Sequence, residues 1–242
     1  MVGALQTPFN KFNPKQLGSA VILSWYDAST ISGNDGDAVS SWTDSSGNGR
    51  TLSQGVGALQ PTLKKGANGL NGKNVVLFDG TDTLTTGTQY LNTANKHTCF
   101  AVIKQTTVAD HEIFGNDTAG NGFNWRFRNN GGTQQLRIVR GQVVADWNTG
   151  IGADTWAYYT LITRCTTGAA GTSTQRVNGS DISTSGSATC TGSPAGNVHI
   201  GSLAGATEFL VGALAESIIC EGELTALQYT QVEAYLKQKY GL

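Results

Sequence analysis

The amino-acid sequence predicts an all-β fold, a sandwich or barrel of short strands, that ends in one α-helix. Three observations lead to this prediction. Glycine accounts for 32 of 242 residues and charged residues for only 14%, against usual shares of about 7% and about 25%. Turn-forming residues interrupt apolar or alternating runs every 8–12 residues or so, which is typical of sandwiches and barrels. A helical period with capping residues occurs at the C-terminus.

This composition excludes a helical bundle, a coiled coil and a charged disordered chain. Sixteen Lys and Arg against seventeen Asp and Glu give a net charge of −1. We therefore expect no binding to nucleic acid or to anionic lipid. No apolar run reaches the roughly 18 residues of a membrane span, and the N-terminus lacks the pattern of a signal peptide.

The first element, residues 1–19, is a polar arm with spaced apolar anchors at Phe9, Phe12 and Leu17. The arm has neither a helical nor a strand period. Two alternatives stay open. The arm folds back on its own domain, or its anchors dock onto a partner subunit.

From residue 20 the chain reads as a series of strands separated by turns. Residues 123–128 alternate strictly between aromatic and polar side chains, and Asn129 to Gly132 turn the chain into residues 135–140, which predicts a hairpin. The predicted strands are 20–26, 39–42, 74–78, 98–103, 123–128, 135–140, 156–162, 175–179, 198–201 and 209–220.

The last element is a helix over residues 226–240. Thr225 and Gln228 have the spacing of a capping box. Apolar residues recur at helical spacing, two lysines occupy the last turn, and Gly241 ends the helix. We expect the helix to lie across the sandwich.

Four cysteines are present, and none forms a CxxC pair, so a zinc or redox site has little support. Cys99 and Cys220 lie in apolar strands and are expected to be buried thiols. Cys165 and Cys190 flank a segment rich in Thr, Ser and Gly. A bridge between them stays open, and four free thiols are the preferred prediction.

Several motifs resemble one known superfamily. They are WYDA at 25–28, VSSWTDSSGNG at 39–49, VLFDG at 76–80, VNG at 177–179 and HIGS at 199–202. The most specific part is the ending, with GALAE at 212–216, ELT at 223–225 and VEAYLKQKYGL at 232–242. Together they resemble the laminin-G-like branch of the concanavalin A-like lectin/glucanase superfamily, of the type seen in tailed-phage virion proteins.

The resemblance implies a two-sheet antiparallel jelly-roll sandwich over residues 20–242. It leaves the function open, because this fold carries lectins, glycosidases, adhesion modules and virion proteins. The glycosidases of the superfamily carry two Glu and an Asp alternating on one strand. This sequence has no such strand, since Glu216 stands alone in an apolar run. We therefore predict no catalytic residues.

Two acidic stretches could hold calcium, at Asp35, Asp37 and Asp44. Clustered oxygens are what a hard cation requires. The same Asn, Asp and Gly residues are also what tight turns need. No other cofactor is expected.

A candidate ligand site lies on and after the predicted hairpin. Arg126, Arg128, Arg137 and Arg140 fall on one hairpin and could bind an anionic sugar or an acidic partner, because guanidinium forks suit carboxylates. The alternative is a solvated strand face. Trp147, flanked by Asp146 and Asn148, could stack on a sugar ring from a turn-like segment.

The preferred functional prediction is a non-catalytic binding or assembly module. The resemblance favours a virion structural or decoration protein, assembled in the host cytoplasm, with virion proteins or further copies as partners and a possible affinity for polysaccharide. The alternatives are a secreted carbohydrate-binding module and, third, a glycoside hydrolase.

Overall fold

The computed structural model describes residues 12–18, 21–116, 122–140, 143–165, 170–189 and 196–242. Sixteen strands lie within these ranges. The first eight are β1 (Ile22–Asp27), β2 (Ser41–Trp42), β3 (Leu52–Ser53), β4 (Thr62–Lys64), β5 (Val75–Asp79), β6 (Leu84–Thr86), β7 (His97–Gln105) and β8 (His111–Gly115). The others are β9 (Phe123–Asn130), β10 (Thr133–Arg140), β11 (Val143–Asn148), β12 (Ala157–Arg164), β13 (Ala170–Val177), β14 (Ser180–Thr189), β15 (His199–Ile200) and β16 (Val211–Glu221).

The strands form two antiparallel sheets of eight strands each. The first sheet has the order β14-β13-β12-β7-β16-β5-β4, and β1 also pairs with β16. The second sheet has the order β11-β10-β9-β8-β15-β6-β3-β2. β16 is long enough to pair with β5 through residues 211–214 and with β1 through residues 216–220. The predicted two-sheet antiparallel sandwich is confirmed.

Aromatic and aliphatic side chains from both sheets fill the space between them. On β9 the aromatic members of the alternation, Phe123, Trp125 and Phe127, are fully buried there. Trp125 meets Phe114 edge to face, with ring centroids 5.6 Å apart. This core fixes the register of β9, because a shift by one residue would turn the arginines inward.

The predicted C-terminal helix is confirmed as α1 (Ala226–Tyr240), with a capping box between Thr225 and Gln228 and a left-handed Gly241 at its end. Val232, Leu236 and Tyr240 pack against the outer face of the first sheet in a second apolar cluster. Among the described residues, no helix has the length and hydropathy of a transmembrane segment.

The end of the N-terminal arm packs on the same outer face. Residues 14–17 form a short 3-10 helix, and Phe12 and Leu17 are half-buried against the second apolar cluster. For these two anchors the structure supports the arm that folds back on its own domain, and their docking onto a partner subunit stays a prediction. Phe9 lies outside the described residues.

The free edge of β1 is covered by the segment that follows β2. Ser45 N donates to Trp25 O at 2.7 Å. Asn48 Nδ2 donates to Ile22 O at 2.6 Å, and Arg50 Nη1 donates to Leu23 O. These bonds satisfy carbonyls that an open strand edge would expose.

Two expectations about local structure need correction. The strand series missed β3, β4, β6, β8, β11 and β14, most of which are short or polar.

Cys99 and Cys220 are buried free thiols as predicted. Cys165 is disulfide-bonded, so the prediction of four free thiols is wrong. Cys190 lies outside the described residues.

Candidate functional site

The outward side chains of β9, β10 and β11 form the largest group of predicted site residues. They alternate with core residues along each strand, and the register places them side by side. We call them the polar face, which comprises Arg126, Arg128, Gln135, Arg137, Asp146 and Asn148.

Asp146 is the centre of this face. Arg137 lies directly opposite it on the neighbouring strand and donates Nε and Nη2 to its two oxygens at 2.7 and 2.9 Å. Arg128 donates Nη1 to Oδ2 at 2.6 Å. Burial alone would raise the pKa of Asp146, but the hydrogen bonds and charges of the two arginines lower it below its usual value. The carboxylate is therefore ionised and fixed.

The remaining members of the polar face also have partners. Gln135 donates Nε2 to Asn148 Oδ1 at 2.8 Å. Arg126 forms an ion pair with Glu208, which reaches the face from the segment before β16. The face thus consists of planar groups that hold one another in place on adjacent strands.

These ion pairs neutralise most of the arginine charge. Arg126, Arg128 and Arg137 each have a carboxylate partner. The charges of Asp110 and Glu208 also raise the pKa of Arg137, after the hydrogen bond to Asp146. The interpretation as a site for an anionic sugar is therefore not supported. The side chain of Arg140 lies outside the described structure.

Trp147 is a core residue, so its prediction as a sugar-stacking platform is wrong. It lies on β11 rather than in a turn, is 5% exposed and joins the cluster between the sheets. Asp146 and Asn148 point outward on either side of it. The alternation of residues 145–148 was the signal for this strand. Trp156, just before β12, is only half-buried, with Lys104 Nζ 5.9 Å from its ring centroid.

The three predicted calcium ligands do not come together. Asp44 is buried and accepts hydrogen bonds from Trp25 N, Ser46 N, Ser46 Oγ and Arg50 N at 2.8–3.1 Å. Asp35 accepts from Lys65 N and from Asn68 Nδ2, both at 2.7 Å. Within the described ranges no group of three His, Cys, Asp or Glu residues could hold a metal ion.

Asp37 likewise serves its own loop, accepting from Asn34 N at 2.7 Å. The oxygens at all three aspartates therefore act as turn and edge acceptors. The residues present do not form the ligand set that calcium requires.

Glu216 is buried beneath α1 among hydrogen-bond donors. It is fully buried and accepts hydrogen bonds from Trp25 Nε1 at 2.6 Å and from Tyr240 OH at 2.8 Å. Lys239 Nζ lies 2.6 Å from Glu216 Oε2 and 2.6 Å from Asp27 Oδ2. A second carboxylate thus stands close by, but the side chains of Glu216 and Asp27 are only 0% and 10% exposed. A polysaccharide cannot reach this pair.

Each of the three histidines begins a strand. His97 is buried against Phe123, with ring centroids 5.4 Å apart. His111 contacts Phe209 O through Nδ1 at 2.7 Å. His199 begins β15 and is half-buried.

No protein-family model and no curated protein sequence matches the chain. Solved structures do match. An arabinofuranosidase complexed with arabinofuranosyl-α-1,2-xylobiose superposes with a TM-score of 0.64 and 12% identity over 84% of this chain and 51% of that one. Domain 4 of AbnA, an extracellular arabinanase from Geobacillus stearothermophilus, was solved in complex with arabinotriose. It superposes with a TM-score of 0.58 and 15% sequence identity, covering 88% of this chain and 97% of that domain.

The binding domain of botulinum neurotoxin serotype D gives a TM-score of 0.58 and 12% identity, covering 93% of this chain and 53% of that one. The chain therefore spans about half the length of the arabinofuranosidase and of the neurotoxin domain, and nearly all of the arabinanase domain. At these identities the likeness establishes the fold. The chain shares its two-sheet β-sandwich with proteins that include carbohydrate-binding and toxin binding domains.

Proposed function

We propose that this chain is a non-catalytic module that binds a neutral glycan through its polar face. The observation that carries the proposal is the set of planar groups around Asp146, Arg137, Arg128, Gln135 and Asn148. Guanidinium, amide and carboxylate groups offer both donors and acceptors to sugar hydroxyls. Their mutual hydrogen bonds order them before binding, which lowers the entropic cost of association.

The charge balance of the face favours a neutral ligand. Asp146 neutralises one of its two arginines, and Asp110 lies close enough to act on Arg137. A sugar carboxylate would have to compete with these fixed carboxylates for the guanidinium groups.

The similar structures support the choice of first ligand. The arabinanase domain is matched over 97% of its length and is in complex with arabinotriose. The arabinofuranosidase is in complex with an arabinose-containing trisaccharide. Arabino-oligosaccharides and arabinoxylan are therefore the first probes for this chain.

The arabinofuranosidase likeness also keeps a glycosidase as the second candidate. Hydrolysis requires two carboxyl groups on opposite sides of the scissile bond. The nearest pair around Glu216 lies beneath α1, so binding is the better supported function. A glycan-cleaving activity that Glu216→Gln abolishes, in a variant that remains folded, would support the hydrolase instead.

Calorimetric titration of a glycan panel tests the proposal. Gln135→Ala should weaken binding by about 2- to 12-fold, since a neutral hydrogen bond contributes about 0.5–1.5 kcal/mol. The matched control is Gln231→Ala, an exposed glutamine on α1. Failure of every neutral glycan to bind, or an equal effect of both substitutions, would contradict the proposal.

A virion location is a finer proposal that rests on the sequence resemblance alone. Mass spectrometry of purified virus particles should detect the chain, and deletion of residues 1–11 should remove it from the particles. A chain found only in the surrounding medium would favour the secreted carbohydrate-binding module.

A further inference from the structure

A cleft of about 290 Å³ lies beside β2, the edge strand of the second sheet at the far end from the polar-face strands β9, β10 and β11. One wall is the segment that follows β1, and the other leads into and out of β2. Five of the residues that line it carry hydroxyl groups: Thr30, Ser32, Ser40, Ser41 and Thr43.

Four of these hydroxyl groups are available to a ligand. Thr30 Oγ1 donates to Asp27 O at 2.8 Å. The hydroxyls of Ser32, Ser40, Ser41 and Thr43 form no hydrogen bond with another group in the described part of the chain. Each can donate one hydrogen bond and accept two.

The walls are held in place by the backbone. Val39 N donates to Pro61 O at 2.7 Å, and Gln54 N donates to Ser40 O at 2.9 Å. Ser41 pairs with Ser53 in the ladder between β2 and β3. The main chain that carries Ser40 and Ser41 is therefore held in place, which limits the reorganisation needed on binding.

The chemistry of the lining selects an uncharged ligand. The half-buried Ile31 and the exposed Ala38 contribute apolar surface, and none of the lining residues is charged. A charged group placed here would find no counter-ion among the lining residues. The volume of about 290 Å³ lies just below the range of about 300–1,000 Å³ for small-molecule sites, which suits one ring rather than a chain of rings.

We propose that this cleft binds a single uncharged sugar residue, at the end or on a branch of a glycan. The inference rests on the proposed glycan-binding function but places a second site away from the polar face. Sugar hydroxyls would exchange hydrogen bonds with the serine and threonine hydroxyls. A C–H face of the ring would lie on Ile31 and Ala38.

The experiment is a nitrogen-15 NMR titration with methyl α-L-arabinofuranoside, methyl β-D-xyloside and methyl β-D-glucoside, with methyl β-D-glucuronide as the charged counterpart. We expect a neutral glycoside to shift amide signals of residues 30–32 and 38–43. The double substitution Ser40→Ala/Ser41→Ala should weaken that binding by at least roughly 3-fold, as expected for lost neutral hydrogen bonds. Ser53→Ala, which removes a hydroxyl from the neighbouring strand outside the cleft, should leave it unchanged.

Ser32→Phe, at an exposed position on the rim, should block the cleft and abolish these shifts in a folded variant. The inference is overturned if neutral glycosides shift only signals of β9–β11, if the blocked variant binds as well as the wild type, or if the glucuronide binds as tightly as the glucoside. Glycan binding that survives the block but is weakened by Gln135→Ala refutes the cleft and leaves the proposed function standing. Absence of binding by every neutral carbohydrate refutes both.

Discussion

Replacement of Lys239 by methionine removes the cation that stands between two buried carboxylates. Lys239 Nζ lies 2.6 Å from both Asp27 and Glu216, and its side chain is 14% exposed. Methionine keeps most of the aliphatic stem, so packing changes little. Loss of one partner of a buried ion pair costs about 3–5 kcal/mol.

The expected loss lies near the lower end of that range, at about 3 kcal/mol. Trp25 Nε1 and two tyrosine hydroxyls continue to donate to Glu216 in the variant. For a chain of this length, such a loss lowers the midpoint of thermal unfolding by about 6–12 °C. Urea denaturation gives the free energy of unfolding directly. The matched control is Lys237→Met, an exposed lysine in the same helical turn.

The loss should depend on pH in a defined direction. Burial raises the pKa of Glu216 above its usual 4.5, and Lys239 opposes that shift. Without the lysine the pKa rises further, so the folded variant holds a proton that the unfolded chain releases. The free energy of unfolding of the variant therefore falls as pH rises above about 4.5. The deficit should be small near pH 4 and full near pH 7.

Addition of Glu216→Gln to Lys239→Met should recover part of the lost stability, because the buried charge is removed. A deficit at neutral pH within about 1 kcal/mol of the Lys237→Met control would refute the reasoning, since the pair would then behave as a surface ion pair. A deficit that is independent of pH would refute the role assigned to Glu216.

Two further predictions concern the core. Trp147→Ala should destabilise the fold by about 3–5 kcal/mol in urea denaturation, whereas the half-buried Trp156→Ala should cost less; equal losses would contradict the placement of Trp147. Gly201→Ala should cost about 2–5 kcal/mol, because Gly201 has φ +84° and a Cβ there would collide with the Phe78 ring. Gly47→Ala, with φ +94° but nothing nearby, isolates the backbone part of that cost, and an equal loss in both would show that the collision is relieved.

Local signals made parts of the fold predictable from sequence. The helix has its start and stop signals within its own residues, Thr225, Gln228 and Gly241. Long apolar runs such as β7 and β16 are buried on both faces, so their composition alone is enough to predict them as strands. The short strands β3 and β6 have no such signal, because their positions depend on pairing with distant segments.

The sites were harder to predict because they depend on contacts that are remote in sequence. Asp44 has the composition of a cation ligand, yet its oxygens serve the edge of β1, which begins about twenty residues earlier. The partner of Glu216 is Lys239, on a helix that the sequence places only approximately across the sheet. The cleft is formed by side chains that are individually ordinary serines and threonines.

The two sheets differ in coverage, because other elements of the chain cover the outer surface of the first sheet. α1 and residues 12–18 occupy the outer surface of the first sheet, and the chain enters its described part at Phe12 on that same side. A neighbour that contacts the covered side would leave the second sheet facing away from the contact. Many copies oriented alike would present the proposed glycan-binding polar face in a common direction, so individually weak contacts could act together on a polysaccharide.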